Sequence, residues 1–310
     1  MRKFFSALLF TGVFSLLAAC GGDDDVHPPP NVVGVAQGDP KFSVLVEAVV
    51  AADLATTLSG TGPFTVFAPT NDAFAALLTE LGITKAALLA NKPLLTSVLT
   101  YHVLPAKVER AGVPAGKAIT TVQGGIFKVD ALSAGLVITD GRNRKSNITA
   151  TDVQASNGVV HVIDKVLLPA DKTLVQTAQA LPQFSILVEA VLAANLQGAL
   201  SAAGPLTVFA PTNDAFAALL VELGVSKAAL LADTTLLTKV LTYHVVNGRV
   251  LKADVPVGVA VATLQGDTFT VDSTLAITDQ RARKAAITAT DVLASNGVIH
   301  VIDKVILPRP

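Results

Sequence analysis

A chain of 310 residues has room for about two domains, each able to bury a core of its own. Hydrophobic residues make up 51% and charged residues 15%, which excludes a disordered chain, and the absence of Trp beside only two Tyr leaves few stacking platforms for bases or sugars. A formal net charge of -1 lacks the basic footprint that nucleic-acid binding needs, so no nucleic-acid partner is expected.

The chain opens with Met1-Arg2-Lys3, an apolar run from Phe4 to Ala19, and then Cys20. A basic head before a short apolar run interrupted by Ser6, Thr11, Gly12 and Ser15 predicts a signal peptide over 1–19 rather than a membrane span. Leu17-Ala18-Ala19-Cys20 resembles a bacterial lipobox, which implies cleavage before Cys20 and acylation of its thiol, with membrane attachment through that lipid anchor. Gly21 after the Cys resembles the sorting signal for the outer membrane. Loss of Arg2 and Lys3 leaves 21 Lys+Arg against 24 Asp+Glu, a net charge of -3. As the single cysteine, Cys20 excludes an internal disulfide and any Cys-based zinc site. Residues 20–30 read as a charged, proline-rich tether, and counted through Pro40 it reaches roughly 60 Å when extended. Beyond Cys20 no stretch reads as a transmembrane helix.

The dominant signal after the tether is an internal repeat. Phe42–Pro105 aligns with Phe184–Asn247 with 46 of 64 positions identical, and Ile148–Pro169 with Ile287–Pro308 with 19 of 22 identical. A unit this long is a whole domain, so the reading is two domains over 31–169 and 173–308, joined by Ala170-Asp171-Lys172. So short a connection restricts their relative orientation.

Within a copy the first half reads helical. Phe42, Leu45, Val46, Val49 and Val50 fall on one face of a helix introduced by Asp39-Pro40. Phe64 to Phe67 predicts a short strand closed by Pro69. Thr70 or Asn71 then caps a helix with Phe74, Leu77, Leu78 and Leu81 inward, stopped by Gly82. Thr84 starts another short helix, and Pro93 to Thr100 forms a third. The second half reads as strands at Thr120–Val122, Ile126–Asp130, Leu136–Thr139, Ile148–Ala150 and Val159–Leu168, with Asn157-Gly158 as a hairpin turn. Helices followed by a sheet predict an α+β class.

The stretch Thr65-Val66-Phe67-Ala68-Pro69-Thr70-Asn71-Asp72-Ala73-Phe74 resembles the first signature of fasciclin domains. Asn157-Gly158-Val159-Val160-His161-Val162-Ile163-Asp164 resembles the second, and Tyr101-His102 the pair that lies between them. All three recur, as Thr207–Phe216, Asn296–Asp303 and Tyr243-His244, and the resemblance covers residues 31–308. It implies two tandem wedge-like antiparallel β-sandwiches flanked by helices, and an adhesive or interaction role on extracellular or envelope proteins or glycans. It brings no shared catalytic activity and no cofactor.

Strand alternation puts His161 on the face of Val159 and Ile163 and Asp164 on the other, so the two cannot act as a catalytic base and the carboxylate that orients it, or share a metal. His161 and His300 therefore read as core residues. Tyr101-His102 and Tyr243-His244 read as rings that pack inward and satisfy backbone groups, and, through the family's link to adhesion, as candidate contact residues. Asn71 and Asp72 read as caps of the following helix. No Gly-x-Ser-x-Gly elbow, phosphate loop or zinc-protease helix is present, so no enzyme is expected. The clusters Arg142, Arg144, Lys145 and Arg281, Arg283, Lys284 fall in predicted connections between strands. There all three charges of each can project into solvent, as plain hairpin tips or as a site for acidic exopolysaccharide. Asn147-Ile148-Thr149 matches a glycosylation sequon but reads as a strand start. The leading expectation is a lipid-anchored adhesion module, displayed on the cell surface or in the periplasm.

Overall fold

The computed structural model describes residues 29–310. The expected signal peptide over 1–19, the acylated Cys20 and the tether up to residue 28 lie outside the described residues. Each repeat copy folds into the same series of helices followed by a sheet.

Asn31 is a helix cap: its side-chain oxygen accepts from Gly34 N–H and opens helix α1 (Val32–Gln37) of the first copy. Residues 31–40, counted into the extended reach of the tether, are therefore folded. Asp39 and Pro40 nucleate a 3-10 turn whose Phe42 is buried, and helix α2 (Ser43–Ala51) follows directly. That turn changes the helical phase. Leu45, Ala48 and Val49 go inward, while Val50, expected on the buried stripe, is left exposed. After α3 (Ala55–Ser59), strand β1 (Phe64–Pro69) crosses the domain and Pro69 ends its ladder. Thr70 then caps α4 (Asn71–Leu81), which Gly82 terminates in the left-handed conformation that glycine takes without a Cβ penalty. Helices α5 (Lys85–Ala90) and α6 (Lys92–Tyr101) complete the layer, the second with a proline in its first turn.

The sheet joins β2 (Val103–Leu104), β1, β7 (Gly158–Ile163), β6 (Lys145–Ala155), β5 (Gly135–Thr139), β4 (Ile126–Leu132) and β3 (Ala118–Thr120), in that order. One pairing departs from the antiparallel expectation: β1 and β7 run parallel, Phe64 opposite Gly158 through Pro69 opposite Ile163. The whole β half of the domain lies between these two strands in sequence, so their union closes the fold. Strand β3 begins and ends two residues earlier than expected, because Thr121 to Gly124 form a turn with Gly124 at φ 93. Strand β6 runs far beyond the expected Ile148–Ala150. Register shifts on either side of Ala150 bend it and blur the alternation a reader looks for.

Two cores result. Val160 and Val162 of β7 face the helices beside Phe74, Leu95 and Leu99, while Ile163 joins Phe67, Tyr101, Phe127 and Ile138 in the second core. Strand β7 is therefore buried on both sides. Each fully buried side chain such as Phe74 or Ile138 contributes roughly 2 kcal/mol relative to exposure.

Domain 2 repeats the plan in α7 (Leu174–Gln179), α8 (Ser185–Ala193), α9 (Gln197–Ser201), β8 (Leu206–Pro211), α10 (Asn213–Leu223), α11 (Lys227–Ala232), α12 (Thr234–Tyr243) and β9 (Val245–Asn247). Its remaining strands are β10 (Ala260–Ala262), β11 (Thr268–Val271), β12 (Ala276–Thr278), β13 (Lys284–Ala294) and β14 (Gly297–Ile302). No helix among the described residues is long and apolar enough to cross a membrane.

Candidate functional site

The second family-like stretch does not turn where an Asn-Gly hairpin would. Ala155 pairs with Gly158, so the loop is Ser156-Asn157, and neither loop residue has a positive φ. Gly158 is needed for a different reason: a Cβ there would lie 2.1 Å from the Phe64 carbonyl oxygen. Asn157 acts as a clasp. Its side-chain oxygen accepts from Val32 N–H and its amide donates to the carbonyls of Leu58 and Gly60, tying the ends of α1 and α3 to the hairpin. Asn296 does the same with Leu174, Leu200 and Ala202. In the first stretch, Thr70 caps α4 and Asn71 reaches sideways, accepting from Val44 N–H and donating to Pro40 O and Ser43 Oγ. Asn71 is thus a brace between two helices rather than the cap.

Strand β7 stops at Ile163, not Leu168. The segment after it leaves the sheet, yet Val166, Leu167 and Leu168 are buried. Buried backbone groups without a ladder need other partners, and the residues singled out from sequence supply them. His102 follows the last turn of α6. Its Nδ1 donates to the Val98 carbonyl at 2.7 Å, and its Nε2 accepts from Leu167 N–H at 2.9 Å. These two bonds assign the proton to Nδ1 and require a neutral ring. Burial, with a smaller effect of the Arg144 charge, pushes the His102 pKa down to about 4. Asp140 accepts from Arg142 and Arg144 N–H on one oxygen and from Leu168 N–H on the other. Burial raises its pKa, and the donated N–H groups and Arg144 oppose that shift. Arg144 donates to Val166 O at 2.6 Å and pairs with Glu80 at 3.2 Å.

The second copy is built alike. His244 links Val240 O to Ile306 N–H, and burial pushes its pKa down to about 4 as well. Asp279 holds Arg281, Arg283 and Leu307 N–H, and Arg283 holds Val305 O and Glu222. Asp140 and Asp279 were missed in the sequence. The available signal was an Asp followed at two and four residues by Arg in both copies, the spacing of a side-chain turn.

Tyr101 and Tyr243 are fully buried; their hydroxyls donate to the carbonyls of Ile126 and Thr268. Burial holds both phenols above their ordinary range. With the tyrosines at 0% exposure and His102 and His244 at 2%, none of the four rings is available to a partner, which corrects their standing as contact residues. His161 donates from Nε2 to Val108 O at 2.8 Å and accepts from Asp152 N–H at 3.2 Å, while its ring packs on Phe67. Asp164 instead accepts from Ser146 and Asn147, so imidazole and carboxylate do not meet. Among the described residues no cluster of three or more His, Cys, Asp or Glu could hold a metal.

The basic clusters need correcting too. Arg144 and Arg283 turn inward to the exit segment, and Arg142 donates to Pro169 O and pairs with Asp171 at 3.1 Å. Lys145 and Lys284 are exposed at the first position of a strand, and Arg281 is exposed with its Nε on Pro308 O. The three charges of a cluster do not project together, because two of them satisfy buried or half-buried carbonyls.

Comparison with known proteins places the chain in a family. The family model described as the fasciclin domain matches residues 40–169 and again 182–308. The chain is 48% identical over 141 residues to protein sll1483 of Synechocystis sp., covering 44% of this chain and 73% of that one. It is 31% identical over 256 residues to the transforming growth factor-beta-induced protein ig-h3 of Oryctolagus cuniculus, covering 81% of this chain. It spans only 35% of that longer relative. Among solved structures, a FAS1 domain pair from the insect cell adhesion molecule fasciclin I aligns at 19% identity with a TM-score of 0.42, covering 89% of this chain and 95% of that one. With two matched domains filling most of its length, this chain belongs to the fasciclin domain family.

Proposed function

We propose that the protein is a lipid-anchored adhesion or interaction module of the cell envelope, acting through the outer surface of its two fasciclin domains. Fasciclin domains occur in adhesion and interaction proteins, which supports the general role. The observation that carries the reading is the orientation of the motif residues. The Tyr-His pairs, the histidine of the second signature and the asparagines of both are occupied with backbone groups, so these motifs build the scaffold and leave contact to the exterior. Cys20 supplies the proposed anchor, and Gly21 points it to the outer membrane. Binding of acidic exopolysaccharide is the competing reading. Lys145, Lys284 and Arg281 are its exposed cations, a sparser set than the clusters promised.

Metabolic labelling with an alkyne fatty acid should mark the wild-type chain and not Cys20→Ser; equal labelling of both defeats the anchor. Beads coated with the full chain should adhere to isolated envelopes more than beads coated with heat-denatured chain, with adhesion unchanged when Lys145, Lys284 and Arg281 become Ser. Loss of adhesion in that triple variant transfers the function to the glycan reading. No adhesion by either preparation rejects the adhesive role.

A further inference from the structure

Domain 1 meets domain 2 along one face. Lys128 of β4 reaches Asp291 of β13 at 3.0 Å while also holding Asp130 on its own strand. The Asp291 side chain is only 3% exposed. Burial works against the Lys128 ammonium, but the two carboxylates more than offset it, and its pKa lies above the ordinary value. Asn143, in the turn between β5 and β6, pairs reciprocally with the backbone of Leu293. It accepts from Leu293 N–H at 2.7 Å and donates to its carbonyl at 3.0 Å. Ile126 packs with Leu251, Leu293 and Val298, and Lys117 faces Asp254 at 3.5 Å.

The repeat shows what the same positions hold in the other copy. On the reaching side, Ile126, Lys128, Asn143 and Lys117 of domain 1 correspond to Thr268, Thr270, Ala282 and Val259 of domain 2. On the receiving side, Leu251, Leu293 and Asp254 of domain 2 correspond to Glu109, Gln154 and Gly112 of domain 1. Asp291 and Val298 alone keep their counterparts, Asp152 and Val159. Domain 1 even retains the shape of a receiving face. Asp152 has φ 60 against 62 for Asp291, and it accepts from Arg110 N–H at 2.8 Å as Asp291 accepts from Lys252 N–H at 2.7 Å.

A head-to-tail contact between like units propagates into filaments unless something stops it. We propose that the differences between the copies make this contact a single-use joint: they lock domain 1 onto domain 2 as one rigid body and close both outer faces to further stacking. The lock is the half-buried Lys128 on the buried Asp291, with the Asn143 pairing beside an apolar patch. The closure is the polar Glu109 and Gln154 on the free receiving face, and the loss of amine and amide on the free reaching face.

Two arms test this on the full chain carrying Cys20→Ser. Spin labels at Lys85→Cys and Lys227→Cys, both on exposed helix starts, should report a narrow inter-domain distance distribution. Adding Lys128→Thr and Asn143→Ala, the residues domain 2 uses, should broaden it while circular dichroism shows both domains folded. A broad distribution in the parent, or an unchanged narrow one in the variant, overturns the lock. In the second arm, Glu109→Leu and Gln154→Leu are combined with Thr268→Ile, Thr270→Lys and Ala282→Asn. Sedimentation should show concentration-dependent oligomers for this variant and a monomer for the parent. A folded variant that stays monomeric at every concentration, or a parent that already stacks, overturns the closure.

Discussion

His102, Asp140 and Arg144, and likewise His244, Asp279 and Arg283, clamp the exit segment behind α6 and α12, and in this clamp duplication has left the chemistry alone. Val98, Tyr101, His102, Asp140, Arg142, Arg144 and Leu168 all recur in the second copy, and only Leu167 becomes Ile306. At the joint between the domains, by contrast, most contacting residues differ between the copies. The clamp serves the interior of each domain, where the same backbone groups need the same partners, so any change leaves one unpaired. The joint exists once per chain, and each copy plays a different part in it. Identity between copies therefore marks what each domain needs to fold, and difference marks what the pair needs to be a pair.

The largest effect should follow from breaking the clamp. His102→Ala strips partners from the Val98 carbonyl and Leu167 N–H and leaves a cavity, a loss of about 3–5 kcal/mol for domain 1. His244→Ala should do the same to domain 2, both read by urea denaturation; a loss under about 1 kcal/mol would sink the clamp in that domain. Acid should act on both clamps without mutation. Each ring titrates near 6.5 when unfolded and at about 4 when folded, so the unfolded chain binds more protons between these values. Stability is then complete above pH 6.5 and falls as pH drops towards 4, by roughly 2 kcal/mol per histidine at pH 5. The raised pKa of Asp140 acts in the opposite sense. His102→Gln with His244→Gln should reduce the slope between pH 7 and 5, the lowered pKa of buried His300 keeping part of it, and an unaltered slope would assign it to other groups.

Smaller effects separate the two kinds of arginine. Arg144→Met removes a charged donor from the Val166 carbonyl and should cost about 1.5–3 kcal/mol. Arg281→Met, at an exposed position with its Nε on the Pro308 carbonyl, should cost less, about 0.5–1 kcal/mol in the same melt, and equal costs would erase the distinction between the two arginines. Smallest of all is the exposed pair of Lys85 with Glu47, mirrored by Lys227 with Glu189. Breaking either should shift stability by no more than about 0.5 kcal/mol, and raised salt should erase the difference.

The repeat, the helices-then-strands order and the inward set of His161 were legible in the residues, because periodicity and alternation depend on local geometry alone. So was the stop at Gly82, and the cap of α4 was narrowed to Thr70 or Asn71, each a choice made within one turn of helix. Less local features were not. The parallel union of β1 with β7, the bent course of β6 and the end of β7 at Ile163 depend on which strands meet across the domain. The arginine clusters looked like solvent-facing loops because sequence spacing shows a turn but not what passes beneath it. Here that is the exit segment, whose carbonyls draw Arg142 and Arg144 back to the protein. Pattern along a chain records the periodicity of one element at a time; the partner of a buried backbone group is settled only when distant segments pack together, as Val98 and Leu167 do on either side of His102.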